Sequence, residues 1–269
     1  MFTHLADEDI AELDAQLDVP FVPTDEKIVA AMLDMAGVDE NDLLYDLGSG
    51  DGRIVVAAAR SRGARAIGID LDPQRVEEAR EYAEWTGVAD RVRFIEDDLL
   101  CADFSDATVV TLYLLQSINR SLRPRILKEL RPGTRIVSHA FDMGDWTPDE
   151  LRSVGGSKVY KWVVPAQVEG TFEWRVEEGR EFKVELHQDF QIVTGKAWID
   201  GKPAQLRTAL MQGKRVDLVI RRRGSSRPEG FTLHFGDTPE SPVVAERHES
   251  GEHSATLIVT RVKAGIEHP

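Results

Sequence analysis

The chain has 269 residues, enough for one large or two modest domains, each with a core of its own. Its 33 Lys and Arg against 47 Asp and Glu leave a formal net charge of −14, unevenly spread: residues 1–165 carry −13 and residues 166–269 only −1. An acidic surface repels phosphate backbones and excludes nucleic acid as the expected partner, and a single cysteine, Cys101, excludes an internal disulfide and any multi-cysteine zinc site, so no metal is expected.

Met1 to Asp18 holds six acidic residues and no lysine or arginine, so it is not the basic start of a secretion signal. No apolar run approaches the ~20 residues that cross a bilayer, and a cytoplasmic protein with no membrane partner is expected. Residues 1–19 are set apart as an acidic segment. Thr24 reads as the N-cap of a helix from Asp25 to Met35, with Ile28, Ala31, Met32 and Met35 on one face and Gly37 as its stop.

Leu43 to Gly52, Leu-Leu-Tyr-Asp-Leu-Gly-Ser-Gly-Asp-Gly, is an apolar strand running into three glycines at alternate positions flanked by carboxylates. Glycine lets backbone turn sharply and approach a ligand. The spacing differs from the Gly-x-Gly-x-x-Gly that seats a pyrophosphate, so a diphosphate is not expected. A helix follows from Arg53 to Ser61, with Asp51 as a charge at its start. A second strand, Arg65 to Ile69, ends at Asp70, about 20 residues after the glycines, where a carboxylate accepts both ribose hydroxyls. Asp72 before Pro73 reads as the N-cap of a helix reaching Trp85, stopped by Gly87. A third strand, Val92 to Ile95, ends in Glu96-Asp97-Asp98-Leu99. The alternation of strands and helices predicts right-handed crossovers and a parallel sheet. Three acidic strand ends with no phosphate-binding lysine suit a cationic, phosphate-free adenosine ligand such as S-adenosylmethionine.

Over roughly residues 20–165 the chain resembles the class I, seven-β-strand S-adenosylmethionine-dependent methyltransferases. Asp46-Leu47-Gly48-Ser49-Gly50-Asp51-Gly52 matches their first motif, Asp70 their ribose-binding acid, and Asp98 the acid that meets the adenine amino group. The resemblance implies an α/β fold with a doubly wound, mainly parallel sheet, S-adenosylmethionine as cofactor and S-adenosylhomocysteine as product. It also implies that Gly48, Ser49, Gly50 and Gly52 bring backbone to the methionine portion, that Asp46 orders its ammonium end, and that Leu71 packs on the adenine. Asp97 is expected to turn its backbone rather than its carboxylate to the cofactor. Thr24 and Asp25 are carried as contacts because the matching segment of related enzymes folds over the methionine tail, and Thr111 is carried with them.

Strand four, Ala107 to Leu115, is where an acceptor meets the methyl group, and it lacks the Asn/Asp-Pro-Pro-Tyr of enzymes that methylate bases or planar amides. Leu112-Tyr113-Leu114-Leu115-Gln116-Ser117-Ile118-Asn119, followed by Leu130 to His139, bears a looser resemblance to the Dot1-like and archaeal protein-lysine methyltransferases. That resemblance implies a protein lysine as acceptor; a small-molecule N or O nucleophile stands as an alternative. A non-catalytic cofactor-binding module with a partner-binding second domain is the third reading. Tyr113 either lines a lysine channel or completes a buried strand. His139, with Asp142 after strand five, either assists proton removal or is a structural residue; Tyr113 and His139 are the catalytic candidates. Arg120, Arg123, Arg125, Lys128, Arg131 and Arg135 read as a solvated helix face, and Cys101 as a small apolar filler.

After Pro165 the pattern changes to short runs of period two: Thr171 to Val176, Glu181 to Gln188, Gln191 to Ile199, Ala204 to Met211, Arg215 to Arg221, Gly230 to Phe235, Val243 to His248 and Ala255 to Val262. Turn signals such as Asp200-Gly201 and Gln212-Gly213 separate them, which predicts that 166–269 is a smaller all-β antiparallel barrel or sandwich. Trp174 and Trp198 read as core, and Arg221-Arg222-Arg223 as a solvated strand end. Capping the active site, holding substrate and dimerising remain open as roles.

Overall fold

Apolar runs bounded by glycine and proline alternate with capped helical segments through the first half of the chain, and the alternation builds a parallel sheet. The computed structural model describes residues 22–248 and 256–262; the acidic segment 1–19 lies outside them. The chain divides into two compact units, one running to Leu130 with Thr134–Trp162, the other comprising Arg131–Gly133 and the chain from Val163.

In the first unit the elements are α1 (Glu26–Ala36), β1 (Leu43–Leu47), α2 (Arg53–Arg62), β2 (Arg65–Asp70), α3 (Pro73–Thr86), β3 (Val92–Glu96), β4 (Val109–Leu112), α4 (Gln116–Glu129), β5 (Arg135–His139), β6 (Glu150–Val154) and β7 (Ser157–Val163). The seven strands form one sheet in the order β3-β2-β1-β4-β5-β7-β6. Strands β1 to β5 pair in parallel and β6 pairs antiparallel with β7. Strand β1 is central and buried, with Leu44 and Leu47 fully covered, as a strand with helices on both faces must be. The strand order reverses between β1 and β4, and the C-terminal edge there is where ligands of such sheets bind.

Helix boundaries follow their caps. Asp25, in extended backbone, accepts from the Lys27 amide at 2.8 Å and starts α1. The N-cap is therefore Asp25, one residue beyond the expected Thr24, which is 3% exposed. Asp72 caps α3 through the Gln74 amide, with Pro73 at the first helical position.

Of the basic residues on α4 and its flanks, Arg120, Lys128 and Arg131 are exposed as expected, but Arg123, Arg125 and Arg135 are not part of a solvated face. Arg125 donates to the carbonyls of Leu100 and Ala102, pairs with Glu129 and covers the Phe104 ring; Arg135 donates to the Ala36 carbonyl and pairs with Asp42; Arg123 holds the Met143 carbonyl and Asp145. Buried carbonyls at loop ends need donors, and these long side chains supply them. Cys101 is exposed rather than filling the core, because it lies in the turn after β3 with its Sγ toward Asp98.

The second unit is a closed barrel of eight antiparallel strands: β8 (Gly170–Arg175), β9 (Glu181–Asp189), β10 (Ile192–Ile199), β11 (Lys202–Gln212), β12 (Arg215–Arg222), β13 (Glu229–His234), β14 (Val243–His248) and β15 (Thr256–Val262). Each strand pairs with the next, and β15 returns to β8 with Thr260 opposite Glu173. Alternate residues point inward. Phe182 and Phe231 lie 4.7 Å apart between ring centres, Trp174 meets Phe231 edge-on at 5.1 Å, and Leu218, Ile220 and Leu233 complete a filled interior. Trp198 is not core: its neighbours Ala197 and Ile199 take the inward positions, and Trp198 faces outward opposite Lys183. One end is latched by Arg180 and Arg247, both paired with Glu178 and Glu229.

Candidate functional site

Where β1 ends, Gly48 takes φ 76° and Gly50 φ 51°, turning the chain over the sheet edge. The Gly48 and Ser49 amides both donate to the Ile69 carbonyl, at 2.8 and 3.0 Å, which ties the turn to β2. A Cβ at Gly48 would lie 2.7 Å from Leu114 Cδ2, and one at Gly52 2.7 Å from the Phe94 ring, so bulk is excluded on both steric and backbone grounds. The Asp70 carboxylate then joins two loops. Its Oδ2 accepts from the Gly50 amide at 2.7 Å and its Oδ1 from the Asp72 amide at 3.0 Å. Burial raises its pKa despite these bonds.

A cleft open to solvent lies over this edge. Of the residues singled out in the sequence, Thr24, Asp46, Gly48, Ser49, Asp70, Leu71, Asp98 and Tyr113 line it. Gly50 and Gly52 shape the turn behind it. Asp25 caps α1, and the Asp97 carboxylate accepts from the Asp98 amide at 2.8 Å. Thr111, fully buried, stands behind the cleft and donates to Asp46 Oδ1 at 2.7 Å. His139 is 4% exposed and lies against the Tyr113 ring, 3.9 Å between centres. Burial lowers its pKa, which favours the neutral imidazole.

Sequence reasoning passed over several cleft residues. Arg53 pairs with Asp51 and donates to the Thr24 carbonyl at 2.8 Å, fastening the segment before α1 beside the glycine turn; its place directly after the last glycine was the available signal. Leu99, Leu100 and Ile118 add apolar surface, and nothing in their local pattern marks them.

Asp46 carries the test of what fits. It is 2% exposed, lines the cleft and pairs with no arginine or lysine among the described residues. Burial, opposed by the Thr111 hydrogen bond and aided by the charges of Asp70 and Asp51, pushes its pKa up to about 7. A buried acid of this kind calls for a ligand cation. The Ser49 hydroxyl is likewise buried without a partner among the described residues. A ligand with an ammonium and a sulfonium at one end and a ribose at the other satisfies Asp46 and Asp70 together, and Leu71, half exposed at the rim, offers an apolar face beside Asp98. S-Adenosylmethionine has that chemistry.

Comparison with known proteins agrees with this reading. Residues 46–150 match the family model for the ANTKMT methyltransferase domain. A protein-lysine N-methyltransferase of Saccharolobus islandicus is 44% identical over 137 residues, covering 51% of this chain and 85% of that protein. The adenine nucleotide translocase lysine N-methyltransferase of Mus musculus is 32% identical over 149 residues, 55% of this chain and 65% of that one. A solved structure described as an RNA methyltransferase from Salinibacter ruber in complex with S-adenosylhomocysteine is 55% identical, with a TM-score of 0.54, and covers 55% of this chain and 96% of its own.

Proposed function

The chain belongs to the class I S-adenosylmethionine-dependent methyltransferases, and from that premise we propose that it methylates the Nζ of a lysine side chain in a protein. The observation that carries the acceptor is the 44% identity to a protein-lysine N-methyltransferase across 85% of that protein. Two features of the chain support it. Tyr113, just beyond β4, puts an aromatic wall on the cleft, and the net charge of −13 over residues 1–165 favours the approach of a cationic acceptor.

Bound in this cleft, S-adenosylmethionine supplies an electrophilic methyl group on a sulfonium. Asp46 would hold its ammonium end, Asp70 its ribose and Leu71 its adenine. The remaining work belongs to the chain. Alignment of an acceptor in the cleft lowers the barrier by up to ~7–11 kcal/mol in favourable systems, by removing the entropy of encounter. The acceptor ammonium has to lose a proton, and the apolar surface of Tyr113, Leu114 and Ile118 favours its neutral form by desolvation. His139 is not among the residues lining the cleft.

The Salinibacter ruber structure favours RNA as a second reading. The net charge of −13 over residues 1–165 opposes it. Incubating the protein with methyl-labelled cofactor and a cell lysate tests the choice. Label released as methyl-lysine on acid hydrolysis of a protein band is the expected result; label confined to RNA or to small extracts overturns the lysine assignment.

A further inference from the structure

Strand β5 ends in a strained and heavily tied turn that follows directly on His139. Ala140, directly after His139, has φ 67°, a left-handed conformation that a residue with a Cβ adopts at a cost. Four bonds hold it there: the Ala140 amide donates to the Lys158 carbonyl at 2.7 Å, the Phe141 amide to the His139 carbonyl at 2.8 Å, the Ser138 hydroxyl to the Phe141 carbonyl at 2.7 Å, and the Asn119 side-chain amide to Ser138 Oγ at 3.1 Å. Asn119 is fully buried on the core face of α4. Leu112 pairs with Ser138 in the parallel ladder, so Tyr113 and His139 are the next residues beyond the last register pair. Their rings meet at 3.9 Å with 32° between planes, Tyr113 on the cleft and His139 beneath it. Neither imidazole nitrogen has a hydrogen-bond partner among the described residues. Among the described residues the imidazole meets the Tyr113 ring ring-to-ring and not through a nitrogen.

We infer that His139 is a positioning residue whose ring forms the floor under Tyr113 and fixes the angle at which the Tyr113 wall meets the incoming acceptor. It acts through Tyr113 and does not touch the acceptor. The inference rests on the cleft assignment above, and its test has one arm that needs no acceptor.

The chain has four tyrosines, so tyrosine-labelled protein gives a simple spectrum in which Tyr113→Phe assigns the Tyr113 ring signals. In His139→Ala those signals move out of the imidazole ring current, and in His139→Phe they stay displaced by the substitute ring. Unmoved signals in His139→Ala would overturn the inference whatever the acceptor is. In the kinetic arm, His139→Ala lowers kcat about tenfold, with cofactor Kd within twofold of the parent, and His139→Phe recovers most of that loss. The double variant Tyr113→Leu/His139→Ala is no slower than Tyr113→Leu alone, because a residue acting only through another is non-additive with it. If His139→Phe is as slow as His139→Ala, a ring nitrogen matters and the assignment is wrong. Absence of protein methylation by the parent enzyme would instead overturn the lysine acceptor, leaving the spectra to decide the role of His139.

Discussion

Asp46 shows how one buried side chain can report on ligand binding. Its pKa is raised to about 7 by burial, from the usual 3.8, so folding favours its protonated form. The stability this contributes is complete below the ordinary carboxylate value and is lost as pH rises toward 7. A cofactor cation reverses the preference, because an opposite charge nearby favours the carboxylate. Binding at pH 6 should therefore release close to one proton. Calorimetry in buffers of differing ionisation enthalpy will show it as a buffer-dependent heat that disappears in Asp46→Asn; equal heats in all buffers would refute the assignment. Asp70 bears on affinity instead. Asp70→Ala removes charged hydrogen bonds and should weaken cofactor binding by ~1.5–3 kcal/mol, and an unchanged Kd would mean that the ribose lies elsewhere.

At the scale of elements, caps and glycine stops carried most of the legible information. Asp72-Pro73 and Gly87 frame α3, and the period-two runs after Pro165 coincide with all eight barrel strands to within two residues at either end. The cradle was legible because glycine spacing and strand-end acids are local patterns. What escaped depends on partners distant in sequence. Arg125 and Arg135 looked like surface charge until the Leu100, Ala102 and Ala36 carbonyls came within reach. Trp198 reads as core in the sequence, whereas register sets the face on which a strand residue falls. Asn119 is a polar residue on an apolar helix face, a signal visible in the sequence, but the turn it ties lies about 20 residues away. Thr24 and Asp25 both had the chemistry of a cap, and only backbone geometry separated them. Asp25→Ala should consequently cost about 1 kcal/mol of stability and leave cofactor affinity unchanged; thermal unfolding and titration together check this, and a loss of affinity would restore Asp25 to the site.

For the whole molecule, the two units have separate cores, one around Met32, Leu44 and Val55, the other around Phe172, Phe182 and Phe231. Calorimetric scans should resolve two transitions. A ligand that binds only native protein stabilises it by ~2.7 kcal/mol at a hundred times its Kd, so S-adenosylmethionine should raise the transition of the methyltransferase unit and leave that of the barrel in place. An equal rise in both would show that the units unfold as one.

Closure of the barrel has a consequence for how a linear guest could attach. With β15 returned to β8, each barrel strand is flanked on both sides, and among the described residues no lengthwise row of free amides is left on that unit. Among the described residues, β3 and β6, the outermost strands of the other sheet, keep such a row. Of the described strands, those two margins are the ones to which a polypeptide could anneal its backbone, whereas the barrel strands present side chains to a guest.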